Sequence, residues 1–307
     1  MTLLVGLLPG IMALIGFVPT LGFLYFWKRK ERRELRESPL TRNLLRAPGH
    51  SLRFKIADQA EELLLSVLIM VIAPVMAFAV HISQSHFAGQ PESVLRVVIS
   101  AVAGLGVIVF FGWRLMATLT KLKHLSLGLE GELATGEELN QLMLDGCRVF
   151  HDIPFPYGNI DHVVVSTSGV YSVNSKMLGK PKSGEGKAEI VVDQQQGIVR
   201  FPDREYPIPL AQFESEKRWL TQYLSSAVGR QIEVEPILAL PGWFVKERIG
   251  RGLVYVINPH KPKKFFVQNR QVLPPESVLQ IAHQLEQLVR DVEPSFRMKR
   301  ERWEDKS

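Results

Sequence analysis

Cysteine is almost absent from this chain of 307 residues, because Cys147 is the only one. A single cysteine excludes a disulfide within the chain, and it also excludes a zinc site built on several thiolates. The sequence has neither a P-loop nor a Gly-rich dinucleotide fingerprint. It offers no Ser, His and Asp arrangement typical of a nucleophilic serine enzyme either. Any chemistry must therefore rest on other side chains.

The second part of the chain, residues 128–307, carries no excess of basic residues. Residues 128–307 contain 23 Lys and Arg against 24 Asp and Glu, whereas residues 1–127 contain 14 against 7. The net charge of +6 therefore comes entirely from the first part. Because a DNA-binding domain usually carries a basic surface, any such surface in residues 128–307 must be a local cluster.

Three long apolar runs occupy the first part, at about residues 3–27, 63–82 and 94–116. Each is long enough to cross a bilayer as a helix. For the first run the alternative is a cleaved signal peptide, but the basic residues follow the run instead of preceding it, which favours an uncleaved anchor. For the other two the alternative is a helical hairpin buried in a soluble domain. Their length and lack of charge favour membrane spans.

The segment 28–58 contains ten Lys and Arg. Such a segment binds either nucleic acid or anionic lipid headgroups, and its position beside an apolar run favours lipid. Segments 28–58 and 117–127 are basic, whereas 83–93 lacks Lys and Arg, so the first two are predicted to be cytoplasmic. We therefore expect a multi-pass protein of the plasma (inner) membrane, with its N-terminus outside and everything after Met116 in the cytoplasm.

The domain organisation follows from these patterns. Residues 1–127 are predicted to form a membrane region, 128–293 an α/β domain and 294–307 a charged tail. A short linker is expected at 121–128. In the α/β domain, largely apolar strands separated by helical segments predict a mixed sheet covered on both faces.

The central feature of this domain is the stretch 158–176. Two apolar runs separated by Ser, Thr and Gly predict a β-hairpin there. If the loop is of even length and symmetric about Thr167–Ser168, Asp161 lies opposite Asn174 on one face of the sheet. Lys176 shares that face, because side chains alternate along a strand. A loop of odd length would separate the three side chains.

A carboxylate, an amide and an ammonium group gathered in this way suit metal-assisted cleavage of a phosphodiester bond. Carboxylate oxygens hold a hard cation such as Mg²⁺, which activates water and stabilises charge on the phosphate, while a lysine orients the nucleophile or neutralises the phosphate. The competing interpretation is a polar edge on an ordinary hairpin. These residues alone leave both interpretations open.

Motifs along the chain, taken in order, resemble the nuclease-related domain (NERD), a branch of the PD-(D/E)XK nuclease-like superfamily. The motifs are Gly128-Leu-Glu-Gly131-Glu132, His151-Asp152, Gly158-Asn-Ile-Asp161-His162, Gly169-Val-Tyr, Lys176 and Pro209-Leu-Ala-Gln212. The resemblance covers about residues 128–292 and implies a restriction-endonuclease-like mixed sheet flanked by helices. With the apolar runs, the expected architecture is α/β, preceded by a three-helix transmembrane region.

The resemblance also implies roles for five residues. Glu132 on the first helix and Asp161 on the second strand are expected to hold Mg²⁺ or Mn²⁺, directly or through water. Lys176, at the end of the third strand, would assist the nucleophile. Gln212, at the start of the next helix, would donate to a phosphate or orient water. Asn174 stands where the superfamily expects an acid, and its amide oxygen is a weaker metal ligand.

Asn174 leaves two functions open. The first is a membrane-anchored nuclease-like enzyme that hydrolyses phosphodiester bonds of DNA at the cytoplasmic face. The second is a binding or scaffold module that keeps the fold and has lost cleavage. An acid elsewhere can compensate for Asn174, and Glu185 and Glu189 are the nearest candidates in sequence. A transport or channel function has no support, since the predicted spans contain no intramembrane acid or charge pair.

Overall fold

The computed structural model describes residues 15, 18–19, 22–27, 29–30, 40–83, 93–182 and 188–294. From residue 40 onward the helices are α1 (His50–Ile82), α2 (Val94–Asn140), α3 (Leu210–Val228), α4 (Lys263–Phe266) and α5 (Pro275–Val289). The strands are β1 (Arg148–Phe155), β2 (Gly158–Ser166), β3 (Gly169–Ser175), β4 (Glu189–Asp193), β5 (Ile198–Arg200), β6 (Glu205–Pro207), β7 (Val234–Ala239), β8 (Phe244–Ile249) and β9 (Tyr255–Ile257). One compact unit contains residues 40–55 and 124–294, and the other contains residues 56–123.

Helices α1 and α2 are each long and apolar enough to cross a membrane. The described residues thus contain two candidate spans where three are predicted, and the predicted span 3–27 lies largely outside them. The structure corrects the predicted basic loop 28–58 in one respect, because residues 50–58 form the first turns of α1. The charged tail falls outside the described residues from Ser295 onward.

The segment 121–128, which is predicted to be a linker, is helical. Helix α2 runs without a break from Val94 to Asn140. The segment contains no proline, and its Lys and Leu residues are strong helix formers. The helix tightens into a 3₁₀ turn over Gln141–Asp145 and stops at Gly146, whose left-handed φ of 86° suits glycine.

A five-stranded mixed sheet forms the centre of the α/β domain, in the order β1-β2-β3-β7-β9. Strands β1, β2 and β3 are antiparallel neighbours, whereas β3, β7 and β9 run parallel. In the β2–β3 hairpin, Ser166 pairs with Gly169 and His162 with Val173, so the loop has two residues. The predicted even-length loop and its register are therefore confirmed.

A second sheet lies beside the first, where the sequence predicts a single one. Its order is β6-β5-β4-β8, with β4 antiparallel to β5 and parallel to β8. The sequence predicts a hairpin of residues 188–192 and 198–201 around Gly197, which corresponds to β4 and β5, but it does not predict β6 or β8. Strand β8 is mostly exposed and alternates poorly, which removes the pattern that identifies a strand.

Apolar packing covers both faces of the central sheet. On one face, α3 and α5 contribute Leu220 and Ile281 to a cluster with Val163 and Val165. On the other face, residues around the end of α2 pack with Tyr171 and α4. The α/β class with helices on both faces is therefore as predicted, and it leaves the C-terminal end of β3 open.

Candidate active site

One cavity of about 560 Å³ lies at the C-terminal end of β3. The five side chains singled out from the sequence all line it, namely Glu132, Asp161, Asn174, Lys176 and Gln212. They come from α2, β2, β3, the residue after β3 and the first turn of α3. From Glu132 to Gln212, these residues span about 80 positions in sequence. They meet because β3 ends at the cavity and α3 begins there.

Asp161 and Asn174 are neighbours across the hairpin. The backbone N–H of Asp161 donates to the amide oxygen of Asn174 over 3.3 Å. The Asp161 carboxylate accepts a hydrogen bond of 2.7 Å from the backbone N–H of Ser175. Burial, and then the charge of Glu132, raise the pKa of Asp161 well above its ordinary value, although the Ser175 N–H opposes that shift.

Glu216 is an acid directly behind the cavity, hydrogen-bonded to two of its lining residues, and the sequence did not predict it. It is fully buried on α3, and it accepts hydrogen bonds from Asn174 at 2.5 Å and from Gln212 at 2.8 Å. Burial raises its pKa, and the two amide donors act against that shift. The signal was available, since Glu216 lies one helical turn after Gln212 and therefore on the same helix face.

Neither acid proposed to compensate for Asn174 is seen at the cavity. Glu185 lies outside the described residues. Glu189 is half exposed and forms an ion pair of 2.8 Å with Lys246, and it does not line the cavity. Among the described acids, Glu216 is the one whose carboxylate accepts a hydrogen bond from Asn174.

Glu132 reaches the cavity because α2 passes very close to the chain after β3. A Cβ atom at Gly131 would lie 2.9 Å from the Cβ of Met177, so only glycine fits there without a shift. Glu132 is buried, and its Oε2 has no hydrogen-bond partner among the described residues. Burial, and then the charge of Asp152, raise the pKa of Glu132 to about 7.

Lys176 is the cation of the cavity. Its backbone N–H continues the parallel pairing of β3 with β7 by donating to Ala239 over 2.9 Å. Its side chain is exposed, and it forms no ion pair with any described carboxylate. The ammonium is therefore available to an incoming anion.

A buried chain of hydrogen bonds supports Asp161 from behind. The Nδ1 atoms of His151 and His162 lie 2.8 Å apart, and Nε2 of His162 lies 3.1 Å from the hydroxyl of Ser175. Nε2 of His151 lies 3.0 Å from the amide oxygen of Asn140 at the end of α2. Burial lowers the pKa of His151 to about 4 and that of His162 well below its ordinary value, so both rings are neutral near pH 7.

A second buried network holds Asp152 beside the cavity. The Asp152 side chain is fully buried and forms an ion pair of 2.9 Å with Arg46. It also accepts hydrogen bonds from the Ser51 hydroxyl at 2.7 Å and from the side-chain amide of Asn159 at 2.9 Å. Arg46 and Ser51 lie more than 40 residues before α2 in sequence. Residues 40–55, which include the start of α1, therefore belong to this domain.

The buried Glu132 has an Oε2 without a hydrogen-bond partner among the described residues, and burial raises the pKa of Asp161. These features fit a divalent cation. Among the described residues, however, no three His, Cys, Asp or Glu side chains are grouped so as to hold a metal. A cation here would therefore need amide oxygens or water to complete its ligands.

The fold and the cavity define the class of this domain, which is a mixed α/β domain with acids and a lysine around the end of its central strands. Comparison with known proteins gives the family. Residues 127–241 match the model of NERD, the nuclease-related domain, and this part of the chain is a nuclease-related domain. No curated protein and no solved structure matches the chain.

Proposed function

We propose that the chain is a membrane-anchored nuclease that uses Mg²⁺ or Mn²⁺ to hydrolyse phosphodiester bonds of DNA at the cytoplasmic face. The observation that carries the proposal is the shared cavity of Asp161, Glu132 and Lys176. Carboxylates that hold a cation, with an ammonium beside them, suit metal-assisted hydrolysis of a phosphodiester. Membership of residues 127–241 in the nuclease-related family supports the same reaction class.

In this proposal Glu132 and Asp161 hold the cation, directly or through water. A bound Mg²⁺ supplies an activated water and neutralises charge on the phosphate. Lys176 orients the nucleophile or binds the phosphate from the exposed side of the cavity. The amide nitrogen of Gln212 already donates to Glu216, which leaves its amide oxygen to accept a hydrogen bond from water.

We propose that Asn174 acts mainly by positioning Glu216. Both ends of its amide are engaged, since the oxygen accepts from Asp161 and the nitrogen donates to Glu216. A carbonyl oxygen has a second lone pair, which allows Asn174 to remain a weak ligand for a cation. The negative charge expected at the end of β3 would then come from α3 instead.

A binding or scaffold module without cleavage is the second candidate. It is favoured by the uncharged Asn174 and by hydrogen bonds that already occupy Asp161 and Glu216. In this case Glu216 lies too deep in the protein to help hold a cation, and DNA would bind without being cut.

The test uses the purified full chain in detergent, with plasmid and linear DNA in Mg²⁺ or Mn²⁺. The substitutions Asp161→Asn and Lys176→Gln remove one proposed group each. Asp203→Asn and Lys246→Gln are the matched controls, since both residues form ion pairs outside the cavity. We expect the first two variants to lose cleavage by at least about 100-fold and the controls to retain it.

Three outcomes decide between the candidates. Cleavage that survives in both cavity variants would contradict the proposed site. Absence of cleavage in the parent chain would favour the binding module. In that case the exchange Asn174→Asp with Glu216→Gln moves the acid to the strand, and a gain of cleavage would identify a decayed enzyme. Isothermal titration with Mn²⁺ gives a readout that does not depend on activity.

We propose that α1 and α2 anchor the chain in the plasma (inner) membrane with the nuclease-related domain in the cytoplasm. The basic segment 28–58, of which residues 28 and 31–39 lie outside the described residues, would contact anionic headgroups. Substituting Cys147→Ser and Asp203→Cys puts one accessible thiol on the domain. An impermeant thiol reagent should label it in inside-out vesicles only, and labelling of intact cells would contradict this orientation.

A further inference from the structure

A second cavity, of about 810 Å³, lies on the same domain and shares no residue with the first. It lies at strands β8 and β9, which are the terminal strands of the two sheets. Arg248 of β8 joins the two strands by donating to the backbone oxygen of Val256 over 2.6 Å. We call this cavity the β8–β9 cleft.

The β8–β9 cleft is strongly basic. Four cationic side chains line it, and Glu235 is the single acid among its lining residues. The cations are Arg248, Lys261, Lys264 and Arg270. All four are exposed, and none forms an ion pair with a described carboxylate. This cluster is the local basic surface that the balanced charge of residues 128–307 requires of any nucleic-acid site.

Exposed aromatic rings stand among these cations. Phe244 is 55% exposed and Tyr255 is 47% exposed, although rings of this size are usually covered. The Tyr255 ring contacts Phe265 with centroids 5.6 Å apart, and Phe265 in turn contacts Tyr171 at 5.7 Å. Tyr255 is thus held from one side by packed rings and is open on the other.

We infer that the β8–β9 cleft binds single-stranded nucleic acid. Rings with an open face stack on unpaired bases, and a surrounding row of cations holds the phosphates, which is how single strands are bound without regard to sequence. A duplex hides its bases in the stack and offers only its phosphates to such a surface. The inference goes beyond the proposed cleavage and does not need it, because the cleft lies apart from Asp161 and Lys176.

The experiment measures fluorescence anisotropy of a labelled oligothymidylate of about 12 nucleotides, within the usual site size. The full chain is used in detergent with EDTA, so that cleavage cannot interfere. One variant combines Lys261→Gln, Lys264→Gln and Arg270→Gln. Its control combines Arg204→Gln, Lys217→Gln and Lys246→Gln, which removes the same charge from ion-paired side chains outside the cleft. Tyr255→Ala and Tyr255→Phe test the stacking.

We expect the cleft variant to lose at least tenfold in affinity while its control stays within about threefold. The slope of log affinity against log salt should fall by about 2 in the cleft variant, since each lost phosphate contact on a single strand contributes about 0.7. Tyr255→Ala should weaken binding by about tenfold or more, and Tyr255→Phe should retain it. Melting curves of each variant establish that the fold is intact.

Four results of the nucleic-acid measurements would overturn the inference. The first is an equal loss of oligonucleotide affinity in the cleft variant and its control, and the second is tighter binding of a duplex than of the single strand. The third is binding of a mononucleotide but not of the oligonucleotide. The fourth is an affinity that Lys176→Gln lowers and the cleft variant does not. Binding to vesicles with anionic lipid is measured in parallel. Loss of vesicle binding in the cleft variant with unchanged binding of the oligonucleotide would assign the cleft to lipid instead. Failure of cleavage in the earlier assay leaves this measurement unaffected.

Discussion

Asn174 donates a hydrogen bond of 2.5 Å from its side-chain amide to the fully buried carboxylate of Glu216. The strand position for which the family resemblance implies an acid therefore carries Asn174, whose amide donates a hydrogen bond to the acid on α3. The two residues form a matched pair, since an acid at both positions would put two buried carboxylates in contact. Replacing one without the other should therefore be costly.

The first prediction concerns Asn174→Asp. The substitution removes a buried donor and adds a like charge next to Glu216, so unfolding should require about 1–3 kcal/mol less. The loss should be smaller at pH 5 than at pH 8, because the two carboxylates can share a proton at the lower pH. Urea unfolding of the full chain in detergent measures both values.

The double exchange Asn174→Asp with Glu216→Gln is the control for this prediction. It restores one amide and one acid, so it should recover most of the stability that the single substitution loses. A double variant as unstable as Asn174→Asp alone would show that the pair is not matched as we describe.

The second prediction follows from the raised pKa of Glu132. A carboxylate whose pKa rises from 4.5 to about 7 on folding contributes stability below pH 4.5, and this contribution is lost as the pH rises through about 7. The total is on the order of 3 kcal/mol. Glu132→Gln should therefore make the chain more stable than the parent at pH 8 and change little at pH 5. A variant that is less stable than the parent mainly at pH 8 would be the opposite result.

The third prediction follows from the neutral histidine pair. The pKa of His151 falls from 6.5 to about 4 on folding, so its contribution to stability is complete above pH 6.5 and is lost as the pH falls toward 4. His151→Gln stays neutral, and its stability should fall less between pH 7 and pH 5 than that of the parent. His283→Gln, at an exposed position on α5, serves as the control. Identical slopes for His151→Gln and the parent would count against the buried pair.

The fourth prediction concerns Arg46→Ala. Removing Arg46 leaves the fully buried Asp152 carboxylate without its ion-pair partner, which should cost about 3–5 kcal/mol. Arg204→Ala breaks an exposed pair with Asp203 and should cost no more than about 1 kcal/mol. Thermal melting of the two variants compares them directly. Equal shifts would mean that residues 40–55 do not stabilise the domain through Arg46.

The hairpin and its polar face were predictable because their causes are local. Strand alternation and a two-residue turn place Asp161 against Asn174 regardless of what packs on the sheet, and the observed register is the predicted one. The α/β class follows from the same short-range periodicities. The family resemblance added Glu132 and Gln212, which no local pattern distinguishes from surface residues.

The tertiary structure alone decided which distant side chains contact each other. Periodicity places Glu216 on the same face of α3 as Gln212, but only packing determines that this face meets Asn174. The same reason applies to Arg46, which pairs with Asp152 across about 100 residues, and to β8 and β9, whose edges form a basic cleft only once two sheets meet. Local sequence thus specified the elements and the side chains on each face, while long-range packing specified which of those side chains share a site.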